Sequence, residues 1–268
     1  MEAMTDGQAV SDEQRIRDLV EQNAALHHRL LHAQKLSSIG SIAFSMTHEF
    51  NNILTTVINY SRMGMRHQDQ PTRDKAFDKI LNAGIRASKI TTSLLSYARG
   101  QTDRKDATDL AQLVHDVLVL VEKDLQVHRV KLDTFLNEHP RCEVVASQIQ
   151  QVILNLVINA RQAMPQGGNL TIGVYPKPGE GYAEIRIADT GTGIPVEHLP
   201  RIFDPYYSTK TRDEQGQGGS GIGLSLCKEI IESHNGRIRV ETAVGKGTTF
   251  ILKLPMLVYP SSMTSVSA

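Results

Sequence analysis

The chain has no tryptophan, only two cysteines and no net charge. Each shortage removes a class of protein. Cys142 and Cys227 are far apart in sequence and stand in no metal-ligand spacing. Free thiols in a reducing compartment are therefore expected, not a disulfide framework. With 29 acidic and 29 basic residues, nothing in the charge balance points to nucleic acid or an acidic surface as a partner. No apolar run approaches the roughly 18 residues that span a bilayer, so no membrane insertion is expected. The opening "MEAMTDGQAVSDEQ" is polar and acidic, unlike a secretory signal. These absences together read as a cytoplasmic chain. What is present is a 268-residue, 40% hydrophobic sequence, enough for one large or two small domains with real cores.

Apolar spacing divides the first hundred residues. Residues 1–14 read as a disordered N-terminus and 15–36 as a coiled-coil helix. Its seam is Ile16, Leu19, Asn23, Leu26, Leu30 and Ala33, at alternating three and four. Asn23 at an a-type position would fix register and partner number. The seam shifts phase and resumes at Ile39, Ala43, Met46, Phe50, Ile53 and Val57. It stops around "MGMRHQDQPTRD", where Gly64 and Pro71 precede a Thr-Arg-Asp start signal. A second helix over about 72–99 carries Phe77, Ile80, Leu81, Ile85, Ile90, Leu94 and Leu95. Residues 37–100 thus form an antiparallel helical hairpin. Alone it is too thin to bury both stripes, and a homodimer forming a four-helix bundle would complete it.

The polar stretch 101–108 reads as a linker. Beyond it, over 109–256, patterns alternate. Helices are expected at 109–124, 147–164 and 221–234, and strands at "VKLDTFL", "CEVVA", "LTIGVY" and "YAEIRIAD". "GRIRVET" and "GTTFILKLP" close as a pair. This mixture predicts an α/β sandwich with helices on one face of a mixed sheet. The tail 257–268 ends Ser-rich and reads as flexible.

Chemistry begins at "THEFNN", residues 47–52. With Met46 at d and Phe50 at the next a, His48 falls at f, opposite the seam, and should face solvent. Glu49 sits beside it at g. Asn52 is four residues on, one turn along the same face. An exposed imidazole held in one tautomer keeps a nucleophilic nitrogen near neutral pH, and Glu49 could take its proton. Alone, such a histidine is more often a solvated surface residue.

The second half holds the pieces of a phosphate site. "NLVINARQAM" places Asn155 and Asn159 on one helical face among apolar residues. One amide carbonyl could coordinate a hard cation such as Mg²⁺, or both could cap backbone. "IADTGTGIP" puts Asp189 at a strand end, followed by Gly191 and Gly193. The carboxylate could accept from an exocyclic amine, and the glycines could let backbone approach a flat ring; turn chemistry alone would also explain them. "FDPYYSTK" leads through Lys210 and Arg212 to the glycine-rich "GQGGSGIGLSL", which opens onto a helix. That pattern suits a phosphate cradle or a mobile lid. "GKGTTF" adds a glycine turn with Thr248 entering a strand.

In this order the pieces resemble the ATP-binding domain shared by sensor histidine kinases, gyrase-type and mismatch-repair ATPases and the heat-shock-90 chaperones. "LSSIGSIAFSMTHEFNNILTTVINYSRM" resembles the dimerization and phosphoacceptor segment of two-component sensor histidine kinases. The resemblance spans roughly residues 30–255. It implies that His48 is autophosphorylated from ATP, that Glu49 is the acid/base and that Asn52 acts in dephosphorylating the partner. It implies Asn159 as the Mg²⁺ ligand, with Asn155 a turn before it, and Asp189 as the adenine reader. It also implies nucleotide contacts from Gly191, Gly193, Lys210, Gly219, Ser220, Gly221, Ile222, Gly223, Leu224 and Thr248. Many relatives carry a basic residue three positions after the Mg²⁺ asparagine and an aromatic four after it. Here Gln162 and Ala163 stand there, which shifts the expected phosphate contact to Lys210 and the glycine segment.

The implied enzyme is an ATP-dependent protein-histidine kinase. It would pass its phosphoryl group to an aspartate of a response-regulator receiver in trans and also act as that regulator's phosphatase. About 14 residues precede the seam, so either a separate input protein docks on the helices or the chain is part of a longer one. Two other readings compete: an ATP-driven clamp that forms no phosphoprotein, and a phosphatase-dominant scaffold acting through Asn52.

Overall fold

A computed structural model describes residues 3–98, 104–208 and 222–257. The chain divides into two units, Met1–Ser41 and Ile42–Ala268. In the first unit the chain is helical from Ala3, so the stretch read as a disordered N-terminus lies largely within helix. It contains no proline, and a single Gly7 costs only about 1 kcal/mol in a helix. Of the expected seam, Ile16, Leu19 and Leu26 are all more than half exposed. The Asn23 side chain lies outside the described residues.

Helix α1 (Ala3–Arg66) continues into the second unit and runs through Gly64 to Arg66. Helix α2 (Gln70–Ala98) returns after a short turn. Asp69 caps it, its carboxylate accepting from the Thr72 N–H at 3.0 Å. That bond with Thr72 holds the Asp69 carboxyl below its ordinary value. Met46, Ile53, Ala76, Ala83 and Ile90 are buried in this hairpin, whereas Leu54, Ile58, Phe77, Leu81 and Ile85 are exposed. The hairpin therefore closes one apolar seam and leaves a second stripe uncovered. Leu94 and Leu95 have side chains outside the described residues.

The stretch expected as a linker ends earlier than its polarity suggested. Asp106–Asp109 form strand β1, paired antiparallel with β3 (Arg141–Val144) in a two-stranded ribbon. A four-residue polar strand has no legible alternation, and its partner lies more than thirty residues away. Asp109 then caps α3 (Leu110–Val127), accepting from the N–H groups of Ala111 and Gln112. Burial alone would raise the Asp109 carboxyl. Hydrogen bonds from the Gln112 N–H and from His139 outweigh it and hold the carboxyl low.

The main sheet has five strands in the order β2-β4-β5-β7-β6. They are β2 (Val130–Phe135), β4 (Gly168–Lys177), β5 (Tyr182–Asp189), β6 (Arg237–Ala243) and β7 (Gly247–Pro255). The β2–β4 pair is parallel and the rest antiparallel, so the sheet is mixed, as the alternating pattern predicted. Helices α3, α4 (Ala146–Ala163) and α5 (Gly223–Ser233) supply Val114, Ile149, Ile153, Leu156 and Ile231 to one core with Ile172, Ile185, Ile187 and Leu252, all at most 1% exposed. At roughly 1.5–3 kcal/mol for each fully buried aliphatic side chain, this layer dominates the domain's stability.

Two buried polar ties fix the helical layer. Arg161 on α4 pairs with both oxygens of Asp124 on α3, at 3.1 and 3.0 Å. His234, just past α5, accepts the Val145 N–H through Nε2 at 2.9 Å, and its Nδ1–H donates to the Ile230 carbonyl at 2.7 Å. Both ring nitrogens are committed to the neutral form, and burial pushes the imidazole pKa down. Cys142 on β3 and Cys227 on α5 are both free and buried. Desolvation raises each thiol to about 12. Among the described residues no helix is long and apolar enough to cross a membrane.

Candidate functional site

The ends of four elements meet at one side of the α/β domain. The bond from Val145 to His234 sets the start of α4 beside the end of α5. Farther along, the Cys227 thiol lies 3.9 Å from the Val152 carbonyl. The two helices are therefore antiparallel, which brings the last turn of α4 to the start of α5. Asn155 lies in this seam. It is 8% exposed and its amide points at the Cys227 sulfur at 4.0 Å. One turn on, Asn159 is half-buried. Of the two amides, Asn155 is partly engaged in tying helices together, while Asn159 sits at the more open end.

Asp189 closes β5 and is 8% exposed. Its Oδ1 accepts from the Gly191 N–H at 2.8 Å and the Thr248 N–H at 3.2 Å. Among the described residues its Oδ2 takes no hydrogen bond. Burial raises the carboxyl pKa, and the two backbone donors only partly offset that rise. A buried carboxylate with one oxygen anchored and the other available is a built acceptor. Thr248 is buried beside it, with its hydroxyl 3.0 Å from that of Thr242.

The glycines of this loop let it approach the protein's own backbone closely. A Cβ on Gly191 would lie 2.6 Å from the Ala163 carbonyl oxygen, and one on Gly193 would strike the Ala243 carbonyl. The missing side chains make room for the protein's own backbone. The Thr192 N–H bonds to the Ala163 carbonyl, and the Gly245 N–H to the Thr192 carbonyl. The 189–193 loop is thereby clamped between α4 and the β6–β7 turn, which fixes the Asp189 carboxylate. Gly247, at φ +106°, packs its α-carbon against the Asp189 carbonyl.

Ile222 precedes α5, and Gly223 and Leu224 begin it, all half-buried. Lys210, Gly219, Ser220 and Gly221, with Arg212, lie outside the described residues. Gln162 is exposed on the last turn of α4 and Ala163 is half-buried. Among the described residues no cluster of three or more His, Cys, Asp or Glu side chains could hold a metal ion.

On the hairpin, His48 is exposed, as its heptad position predicted. Its Nδ1 lies 3.1 Å from the Asn52 amide nitrogen. In that orientation the amide donates to Nδ1 and the ring proton sits on Nε2. Turned end for end, the amide oxygen would hold the proton on Nδ1 and leave Nε2 with its lone pair.

Glu49 departs from expectation. It does not project with His48 but is 5% exposed. The buried stripe of α1 runs Met46, Glu49, Ile53, at spacings of three and four, while Phe50 is only half-buried. A charged residue in that stripe is invisible to an apolar count. Its counter-charges come from elsewhere. Arg86 Nε on α2 is 2.9 Å from Oε1, and Lys123 Nζ on α3 is 4.0 Å from Oε2. Neither cation was legible as a site residue, because each is distant in sequence and unremarkable in its own helix.

Comparison with known proteins agrees with this arrangement. Residues 42–103 match the His Kinase A (phospho-acceptor) domain. Residues 144–258 match the histidine kinase-, DNA gyrase B- and HSP90-like ATPase family. Among curated proteins, the chain is 33% identical over 281 residues to sensor kinase CckA of Brucella abortus, covering 96% of this chain and 29% of that one. It is 30% identical over 241 residues to sporulation kinase C of Bacillus subtilis, covering 89% of this chain and 53% of that one. The chain thus spans about half, or less, of the curated relatives it matches. Among solved structures, the catalytic domain of histidine kinase ThkA is 31% identical, with a TM-score of 0.50, covering 56% of this chain and 95% of that one.

Proposed function

We propose, from the premise that the chain belongs to the two-component sensor histidine kinases, that it autophosphorylates His48 from ATP. The phosphoryl group then passes to an aspartate of a response-regulator receiver supplied in trans. One juxtaposition carries this reading: an exposed histidine with a tautomer-setting amide, in the same chain as a buried carboxylate with one free oxygen.

The chain's own residues do the following. Asp189 Oδ2 accepts from the exocyclic amine of adenine, while Gly191 and Thr248 hold Oδ1. Asn159 faces the phosphate end from the last turn of α4, with Ile222, Gly223 and Leu224 opposite it. Lys210 and Gly219–Gly221 complete the phosphate contacts by their place in the sequence. Mg²⁺ bound with the nucleotide would neutralise phosphate charge, with Asn159 as its protein ligand. With the Asn52 oxygen on Nδ1–H, Nε2 of His48 attacks the γ-phosphorus in line and the β–γ bridging oxygen leaves with ADP. The ring then carries a surplus proton, and Glu49 is its acceptor. In the reverse direction Asn52 orients the water that attacks the receiver's acyl phosphate. The uncovered stripe of Leu54, Ile58, Phe77, Leu81 and Ile85 supports a homodimer through the hairpin.

Incubation with γ-labelled ATP tests this directly. The expected product is a phosphoprotein labile in acid and stable in alkali, absent in His48→Gln. Steady phosphate release with no labelled protein would refute it and favour an ATP-driven clamp.

A further inference from the structure

Glu49 and His48 are neighbours on α1, and successive helical residues diverge by about 100°. The Glu49 carboxylate lies in the buried stripe, and His48 is bonded to Asn52 instead. As placed, the proton acceptor is turned away from its donor. The two cations holding it there differ in origin. Arg86 belongs to the hairpin itself, on α2. Lys123 is carried by α3 of the α/β domain.

Beside the ion pair a cleft of about 360 Å³ remains open, lined by the apolar Ile85, Ile90 and Val119 as well as by Arg86, His115 and Lys123. Space is therefore left around the Lys123 ammonium for it to swing away from Glu49. The Lys123 side chain is 31% exposed and that of Glu49 7%, at 4.0 Å. The pair is thus close enough to bias the carboxylate and weak enough to release it.

We propose that Lys123 is a positioning residue that restrains Glu49. The ion pair commits Oε2 to the ammonium and keeps the carboxylate from His48. Its release frees Oε2 to receive the ring proton, while Arg86 retains Oε1. This rests on the reading of Glu49 as proton acceptor.

The test measures initial autophosphorylation rates at saturating and limiting ATP for wild type, Lys123→Met, Lys123→Arg and Glu49→Gln. Carbodiimide labelling of Glu49, read by mass spectrometry, accompanies each. Lys123→Met should raise kcat roughly two- to five-fold, the range of a partly exposed ion pair, with KM for ATP unchanged and Glu49 labelling increased. Lys123→Arg should restore the low rate, and Glu49→Gln should be nearly inactive. If Lys123→Met leaves kcat and labelling at wild-type values while Glu49→Gln is inactive, the restraint is refuted and the proton-acceptor role stands. If Glu49→Gln keeps its rate, the proton-acceptor role fails, whatever Lys123 does.

Discussion

Replacing Asp189 by Asn separates the carboxylate's binding role from its structural one. In wild type Oδ1 accepts from Gly191 and Thr248, at 2.8 and 3.2 Å. The amide oxygen of Asn can keep both bonds. The change falls on the other side, where an acceptor oxygen becomes an NH₂ donor that would oppose the adenine amine of the proposed site. A hydrogen bond to a charged acceptor contributes about 1.5–3 kcal/mol, and opposing donors add a desolvation cost of about 1 kcal/mol or more. Nucleotide binding should therefore weaken by about 3–4 kcal/mol, roughly two to three orders of magnitude in Kd. The nucleotide-free domain should hardly suffer. Burial raises the Asp189 pKa in the folded state above 3.8, so its ionised form costs stability as pH rises through that raised value. Asn removes this cost. The difference in Tm between Asp189→Asn and wild type should thus shift in favour of the variant between about pH 4 and pH 7. Titration calorimetry with ATP and pH-dependent thermal melts without it measure the two effects. Affinity within threefold of wild type would refute the adenine-reading role. A loss of more than about 3 kcal/mol in the nucleotide-free domain would show that Asp189 is chiefly structural.

Three further outcomes follow from the geometry. His234 has a folded-state pKa depressed below 6.5 by burial. Its contribution is complete above pH 6.5 and is lost as pH falls below it, so His234→Asn should flatten that part of the stability profile. It should also cost about 1–2 kcal/mol for the unpaired Val145 N–H, as read by urea melts at pH 5 and 8. Gly247→Ala forces a methyl group against the Asp189 carbonyl at φ +106°. Urea midpoints should show a loss of about 2 kcal/mol or more, with nucleotide affinity falling alongside. Leu81, 63% exposed on the uncovered hairpin stripe, should when changed to Glu shift the sedimentation equilibrium toward monomer. The circular-dichroism spectrum of the α/β domain should be unaltered.

Periodic patterns carried most of the fold. The expected helices at 147–164 and 221–234 became α4 and α5 with ends within two residues, because strong amphipathic stripes on a sheet leave little freedom of phase. Strand β1 escaped because four polar residues show no period and their pairing to β3 is non-local. At the end of β5, Asp189 was legible as an acceptor, but the close packing of Gly191 on Ala163 and of Gly193 on Ala243 was not, because those contacts join elements remote in sequence. On α1, exposure of His48 followed from its heptad position. Burial of Glu49 could not, since only tertiary structure brings Arg86 and Lys123 to it.

The two thiols offer a built-in clock for local opening. The sequence holds no other cysteine, and both are buried and raised to about 12. Alkylation in the native protein can then proceed only through transient exposure, at a rate equal to the opening equilibrium times the intrinsic reactivity. Cys227 would report excursions of α5, which borders the nucleotide side, and Cys142 those of the β1–β3 ribbon that follows the hairpin. Slower modification of Cys227 alone when ATP is added would measure how much of the binding energy goes into quieting that helix.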